Sequence, residues 1–170
     1  ESKNMQKMPA DHLENIMAVP KLVKIVVNVG VKEALVDKKV LDHVSSQLAI
    51  ICGQKPVTNK AKVSIATFKL RKGEPVGVSV TLRGRKMSDF FTRLVSIVLP
   101  RVRDFHGVSP DSFDISGNYS LGISEQIVFP EIEYNKIDRI RSLEVTIVTT
   151  AKDKARGLTL LTALGMPFIK

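Results

Sequence analysis

Lysine and arginine side chains crowd one third of this sequence, and ion-pairing with a polyanion is the chemistry they are equipped for. The stretch Gly53–Arg103 carries twelve Lys/Arg against two acids, Glu74 and Asp89, while the rest of the 170 residues nets −1. Concentrated charge of one sign implies a polyanionic partner more strongly than a high overall charge does. Within it, Ser64–Arg71 and Val76–Arg83 read as extended segments joined by Arg71-Lys72-Gly73-Glu74-Pro75. A link with two cations, a glycine and a proline is longer and more charged than a simple hairpin requires. It is expected to be either a solvated loop or a finger that touches a separate polyanion.

Other chemistry finds little support. His12, His43 and His106 are far apart, and with one cysteine no paired-ligand spacing exists, so no metal site is expected. Cys52 closes an apolar helical stripe and reads as core rather than nucleophile. No strained G-x-S-x-G turn occurs, and the glycines at 30, 53, 73, 77 and 84 match neither a dinucleotide fingerprint nor a Walker loop. No cofactor is expected. A small α+β enzyme that takes a phosphorylated substrate into a basic cleft is the alternative, but it would need a convergent acid/base or metal site. A general nucleic-acid chaperone is a third class.

The elements that must position these residues follow from periodicity. One domain spans 1–170, with an N-terminal helical extension over 1–18 whose stripe is Leu13, Ile16 and Met17. Leu22–Val29 is a strand with Ile25, Val27 and Val29 on one face and Lys24, Val26 and Asn28 on the other. Asp37 is a plausible N-cap for a helix through Cys52, with Gly53 beyond its end. Gln54–Thr58 is extended, because Lys55 precedes a proline. Val76–Arg83 alternates Val76, Val78, Val80 and Leu82 against Gly77, Ser79, Thr81 and Arg83. Lys86–Leu99 is a helix with Met87, Phe90, Phe91, Leu94, Val95 and Val98 on one side, with Pro100 either limiting it or kinking a helix that runs on. Asp104–Asn118 reads as a surface loop, Tyr119–Ile123 and Gln126–Phe129 as short strands, and Leu143–Thr150 as a strand. A last helix, Asp153–Leu164, carries Ala155, Leu158, Leu161 and Leu164, with Gly165 and Pro167 as stops.

The sum is an α+β fold: an antiparallel sheet with helices packed on one face and the other face open. The open face would display Lys24, Asn28, Ser79, Thr81, Arg83 and Thr146. Hydroxyls, an amide and cations on a flat platform suit RNA phosphates and 2′-hydroxyls. No recognition helix is left over for a DNA groove, because the helices spend their apolar faces on the core. The aromatics of a base-stacking platform are missing too, with Phe68 the only aromatic in the basic stretch before Phe90. No run of about 18 apolar residues exists to span a membrane. The first residues hold no signal-peptide core. A single cysteine fits a reducing compartment. The start at Glu1, without methionine, is consistent with residues missing upstream.

Several segments in order resemble one family. They include Lys24-Ile25-Val26-Val27-Asn28-Val29-Gly30, Gly53-Gln54-Lys55-Pro56, Phe68-Lys69-Leu70-Arg71, Val80-Thr81-Leu82-Arg83-Gly84, Leu99-Pro100-Arg101-Val102-Arg103 and Gly117-Asn118-Tyr119-Ser120-Leu121-Gly122. Phe129-Pro130-Glu131-Ile132, Val145–Ala151 and Leu164-Gly165-Met166-Pro167-Phe168 continue the match. The chain resembles the large-subunit ribosomal protein five family, of bacterial or organellar type, from Val19 to Phe168.

The resemblance implies a non-catalytic protein of the central protuberance that holds 5S rRNA on its open sheet face. By matching position, Asn28, Gln54, Phe68 and Thr81 would contact the RNA, with Lys55 and Arg83 on phosphates. Arg71, Lys72, Gly73, Glu74 and Pro75 would form the finger that reaches P-site tRNA. The segment with Gly107, Ser109, Pro110 and Asp111 would bridge to a small-subunit head protein. Large-subunit rRNA and neighbouring 5S-binding ribosomal proteins would be further partners. The implied location is the ribosome in a bacterial cytoplasm, with a plastid or mitochondrial matrix as alternatives. Departures from the family pattern fall at Ser79, Arg85, His106 and Ile115-Ser116.

Overall fold

The structure is a computed structural model and describes residues 18–31, 38–132 and 137–169. The expected N-terminal helix, apart from Ala18, and the expected cap Asp37 lie outside the described residues, as does His12.

Five strands form one antiparallel sheet: β1 Leu22–Gly30, β2 Val57–Lys60, β3 Pro75–Leu82, β4 Tyr119–Ile123 and β5 Leu143–Thr149, in the order β2-β3-β1-β5-β4. β1 is central because its inward face is entirely β-branched. Ile25, Val27 and Val29 are buried beside Val78, Val80 and Leu82 of β3 and Leu143, Val145 and Ile147 of β5. Burying each such side chain is worth about 1.5–3 kcal/mol.

Three helices supply the other half of the core. They are α1 Lys38–Cys52, α2 Gly84–Arg93 and α3 Lys154–Ala163. α1 contributes Val44, Leu48, Ile51 and Cys52 and packs on β3; α2 contributes Met87, Phe90 and Phe91 and reaches β1. Gly53 ends α1 at φ +61, its N–H donating to the Ala49 carbonyl at 2.8 Å. The helix of α2 does not stop before Pro100. It widens into a π-turn, Leu94–Val98, and closes with an α-turn, Leu99–Arg101. A proline ring collides with the carbonyl four residues back, and the wider turn accommodates it. The wider turn also places Leu99 in the core with Leu94 and Val98, and leaves Val95 only partly buried.

Three expectations are corrected. Gln126–Phe129 is not a strand; Gln126–Val128 is a 3-10 turn. Gln126 is buried, its backbone N–H donates to the Arg141 carbonyl at 3.2 Å and its Nε2 to the Arg139 carbonyl at 3.0 Å. Those bonds hold the segment to the chain ahead of β5 instead of along a strand. Ser64–Arg71 is not a strand either. Ile65 and Leu70 exchange backbone hydrogen bonds across a 3-10 turn, Ala66–Phe68, with Lys69 at φ +51. The local pairing uses the donors a ladder would need.

The stripe of α3 is rotated in part: Leu161 is buried and Leu164 packs on the core as expected, but Gly157 and Leu160 are buried too, Leu158 is half-buried and Ala155 is exposed. A Cβ on Gly157 would sit 2.7 Å from the Gly117 carbonyl oxygen. Only a glycine lets the helix lie this close, and that contact sets the buried side. Asp153 caps the helix, accepting from the Arg156 N–H at 2.8 Å.

Candidate nucleic-acid interface

All three helices pack on the side of the sheet that holds Ile25, Val80 and Ile147. On the opposite side, the outward residues Asn28, Ser79, Thr81, Glu144, Thr146 and Ser120 are half-buried or exposed. No described residue roofs them. The expected open face is therefore present, with Asn28 and Thr81 outward as the alternation required.

The face is a hydrogen-bonded strip running across the strands. Register sets Asn28 opposite Ser79 on one side and opposite Glu144 on the other. The Ser79 hydroxyl donates to Asn59 Oδ1 at 3.1 Å, Asn59 Nδ2 to Asn28 Oδ1 at 3.5 Å, and Asn28 Nδ2 to Glu144 Oε2 at 3.4 Å. The hydroxyls of Ser120 and Thr146 pair at 3.4 Å on the far side. Val26, opposite Thr81 and Thr146, forms an apolar centre. Asn59, Glu144 and Ser120 were not among the expected face residues. Glu144 shares the parity of Thr146 and was open to the same alternation argument. Asn59 required the register of β2, which pairs with β3 through Val57–Ser79.

The cations stand at the rim. Lys24 alone lies within the strip; Lys55, Lys60, Arg83, Arg85 and Lys86 are exposed around the β2 and β3 side. Gln54 is brought to the same corner, its Nε2 donating to the Thr81 carbonyl at 3.1 Å, while Lys86 Nζ donates to the Gly53 carbonyl at 2.8 Å. Gln54, Lys55, Thr81 and Arg83 thus gather where β3 ends, while Asn28 stands on the central strand opposite Ser79. Phe68 is 71% exposed, on the loop between β2 and β3, so it is not core.

That loop is longer than the five-residue tip read from the sequence. β2 and β3 pair as far as Lys60 and Pro75, so the projecting segment is 61–74. Arg71–Glu74 forms a turn at its base: the Arg71 N–H donates to Glu74 Oε2 at 2.8 Å, and the Gly73 N–H to the Ala61 carbonyl at 2.9 Å. The Lys72 N–H donates to Ser64 Oγ at 2.9 Å, leaving the Arg71 and Lys72 side chains exposed. Beyond them Val63, Ile65 and Phe68 are exposed, apolar groups between cations.

The segment with Gly107, Ser109, Pro110 and Asp111 is anchored rather than free. The Tyr119 hydroxyl donates to the Ser109 carbonyl at 2.8 Å, the Val108 N–H to the Pro167 carbonyl at 2.8 Å, and Lys154 pairs with Asp111 at 3.3 Å. Phe113, Tyr119 and Phe168 pack their rings together behind it.

Among the described residues, no group of three or more His, Cys, Asp or Glu is placed to hold a metal ion. His43 and His106 are exposed and separate. Burial pushes the Cys52 thiol up to about 12, which keeps it protonated in the core. No helix among the described residues is long and apolar enough to cross a membrane.

A family model described as ribosomal protein L5 matches residues 15–71, and a second model, for the C-terminus of the same ribosomal family, matches residues 75–168. Among similar proteins, the large ribosomal subunit protein uL5 of Citrifermentans bemidjiense is 56% identical over 169 residues, covering 97% of this chain and 94% of its own. That of Dictyoglomus thermophilum is 59% identical, covering 92% and 88%. That of Roseiflexus castenholzii is 60% identical, covering 91% and 86%.

Proposed function

The chain belongs to the ribosomal protein L5 family, and from that premise we propose that it holds 5S rRNA on the open face of its sheet. Its coarser role is established by the family: a non-enzymatic structural constituent of the large ribosomal subunit, located in the ribosome.

The observation that carries the proposal is the unroofed strip with Asn28, Ser79 and Thr81, flanked by Gln54, Lys55 and Arg83. Donors and acceptors fixed at sheet spacing can meet ribose hydroxyls and base edges, while rim cations neutralise phosphates. The exposed Phe68 adds a ring on which a base can stack. The same premise supports two further contacts: the loop base Arg71–Pro75 with P-site tRNA, and Gly107–Asp111 with a small-subunit head protein, in a bacterial ribosome.

The test is a binding titration with 5S rRNA and a scrambled RNA of the same length, across a salt series. Affinity for 5S rRNA should exceed that for the scrambled RNA. It should fall by roughly 0.7–0.9 log units per log unit of salt for each phosphate met. Equal affinity for both RNAs, or a flat salt response, would refute the proposal.

A further inference from the structure

The one acid among the described residues of the open face stands in the middle of a surface that has to accept a polyanion. By charge alone Glu144 opposes RNA binding. Yet the sheet places it opposite Asn28, and its Oε2 accepts from Asn28 Nδ2 at 3.4 Å. From there the bonds continue in one direction, from Asn59 Nδ2 to Asn28 Oδ1 at 3.5 Å and from the Ser79 hydroxyl to Asn59 Oδ1 at 3.1 Å. A carboxylate accepts only, so a relay that ends on one has a single sense. Without it, either asparagine amide can turn over and exchange its donor and acceptor ends at nearly equal energy.

We infer that Glu144 is a positioning residue for RNA recognition: it ends the Ser79–Asn59–Asn28 relay and fixes which amide edges face the ligand. Each asparagine then spends one N–H and one carbonyl lone pair inside the protein. The remaining N–H of each amide faces out, preset as a donor toward a ribose 2′-oxygen or a base carbonyl. The bonds are long in the free protein and shorten when RNA excludes water from the strip. This inference rests on the sheet face being the RNA-binding surface.

Charge and positioning predict opposite signs for the same variant. Removing an acid from a phosphate-binding face tightens binding if charge is all that matters. If Glu144 positions Asn28, Glu144→Ala weakens 5S rRNA binding roughly five- to tenfold, the worth of about one hydrogen bond. Glu144→Gln also removes the charge, but its amide can either accept from Asn28 or turn over and donate, so it should bind less tightly than the unaltered protein and better than Glu144→Ala. The salt slope should be the same in all three, because no phosphate partner is lost. Glu144 is exposed, so both variants should fold, and melting curves check that they do.

A second readout needs no RNA. The Asn28 side-chain amide proton bonded to Glu144 should be shifted downfield and slow to exchange with solvent in the unaltered protein, and lose both in Glu144→Ala. Scrambled-RNA controls separate the two levels of the argument, since a protein that does not prefer 5S rRNA would sink the parent reading instead. Glu144→Ala binding 5S rRNA as tightly as the unaltered protein, or an Asn28 amide indifferent to that substitution, would overturn the inference.

Discussion

Gln54 Nε2 donates to the carbonyl oxygen of Thr81 at 3.1 Å, tying the segment that follows α1 to the exposed end of β3. Two residues proposed to touch RNA are thereby held at a fixed separation before any ligand arrives. The bond uses the Thr81 backbone and leaves its hydroxyl free. Gln54→Ala should weaken 5S rRNA binding about five- to tenfold, through a lost contact and a loosened corner. Thr81→Val keeps the tether and removes only the hydroxyl, so it should cost less than Gln54→Ala. Filter-binding titrations of the two variants check the order.

Gly157 is a test of packing against propensity. Replacing a mid-helix glycine by alanine ordinarily stabilises an exposed helix by about 0.5–1 kcal/mol. Here the added Cβ would stand 2.7 Å from the Gly117 carbonyl oxygen and 3.1 Å from the Phe113 ring. Gly157→Ala should therefore destabilise the protein, by roughly 1–3 kcal/mol. Denaturant unfolding of the variant gives the sign directly, and a rise in stability would mean that α3 can move off Gly117 at little cost.

Arg93 joins three pieces of chain. It pairs with Glu131 and donates from its second terminal nitrogen to the Ile51 carbonyl at 3.0 Å. Both side chains of the pair are partly buried, so removing one leaves a desolvated partner. Arg93→Ala should cost about 1–3 kcal/mol in chemical denaturation, and Arg93→Lys should recover only part, since an ammonium cannot fork to both acceptors.

Much of this architecture was legible in the chain because alternation and burial agree. In β1 from Ile25, in β3 from Val78 and in β5 throughout, every second residue is β-branched or leucine, and those residues are buried. β4 came out at its expected bounds. The parts that were not legible are those where one distant contact decides. The stripe of α3 is set by Gly117, forty residues away in sequence. The Gln126 turn depends on the Arg139 and Arg141 carbonyls. The length of the β2–β3 loop depends on a register no local pattern encodes. At the interface, Asn28 and Thr81 could be placed by parity, whereas Asn59 could not.

Acid should loosen one surface turn. Asp114 accepts from the Asn118 side chain at 2.8 Å and from the backbone N–H groups of Asn118 at 2.7 Å and Ser116 at 2.9 Å. These bonds, the Asn118 side chain foremost, hold its carboxyl below the ordinary value of 3.8. A depressed carboxyl contributes stability that is fully present above the unfolded pKa and is lost as pH falls through the folded one. The stability difference between the unaltered protein and Asp114→Asn should thus be constant from neutral pH to about pH 5, and shrink below 3.8. Melting curves against pH, with a carbon-13 titration of Asp114, would show it; a difference that persists undiminished into strong acid would contradict it.

The base of the β2–β3 loop allows the two proposed RNA contacts to be separated. Arg71 and Lys72 brace the turn through backbone N–H groups, to Glu74 Oε2 and Ser64 Oγ, and not through their exposed side chains. Shortening both side chains should therefore leave the loop folded and remove two cations. Pro75, by contrast, begins β3 and pairs with Lys60, so cutting it away would disturb the sheet itself. The double variant Arg71→Ala/Lys72→Ala is expected to bind 5S rRNA within about twofold of the unaltered protein, because the sheet face is intact. Ribosomes assembled with it should hold P-site tRNA less tightly, by roughly three- to tenfold at physiological salt, with a shallower salt dependence as two phosphate partners are lost. Dissociation of labelled tRNA from such ribosomes measures this. If 5S rRNA binding falls as far as tRNA retention does, the loop base and the sheet serve one ligand, and the division between them is wrong.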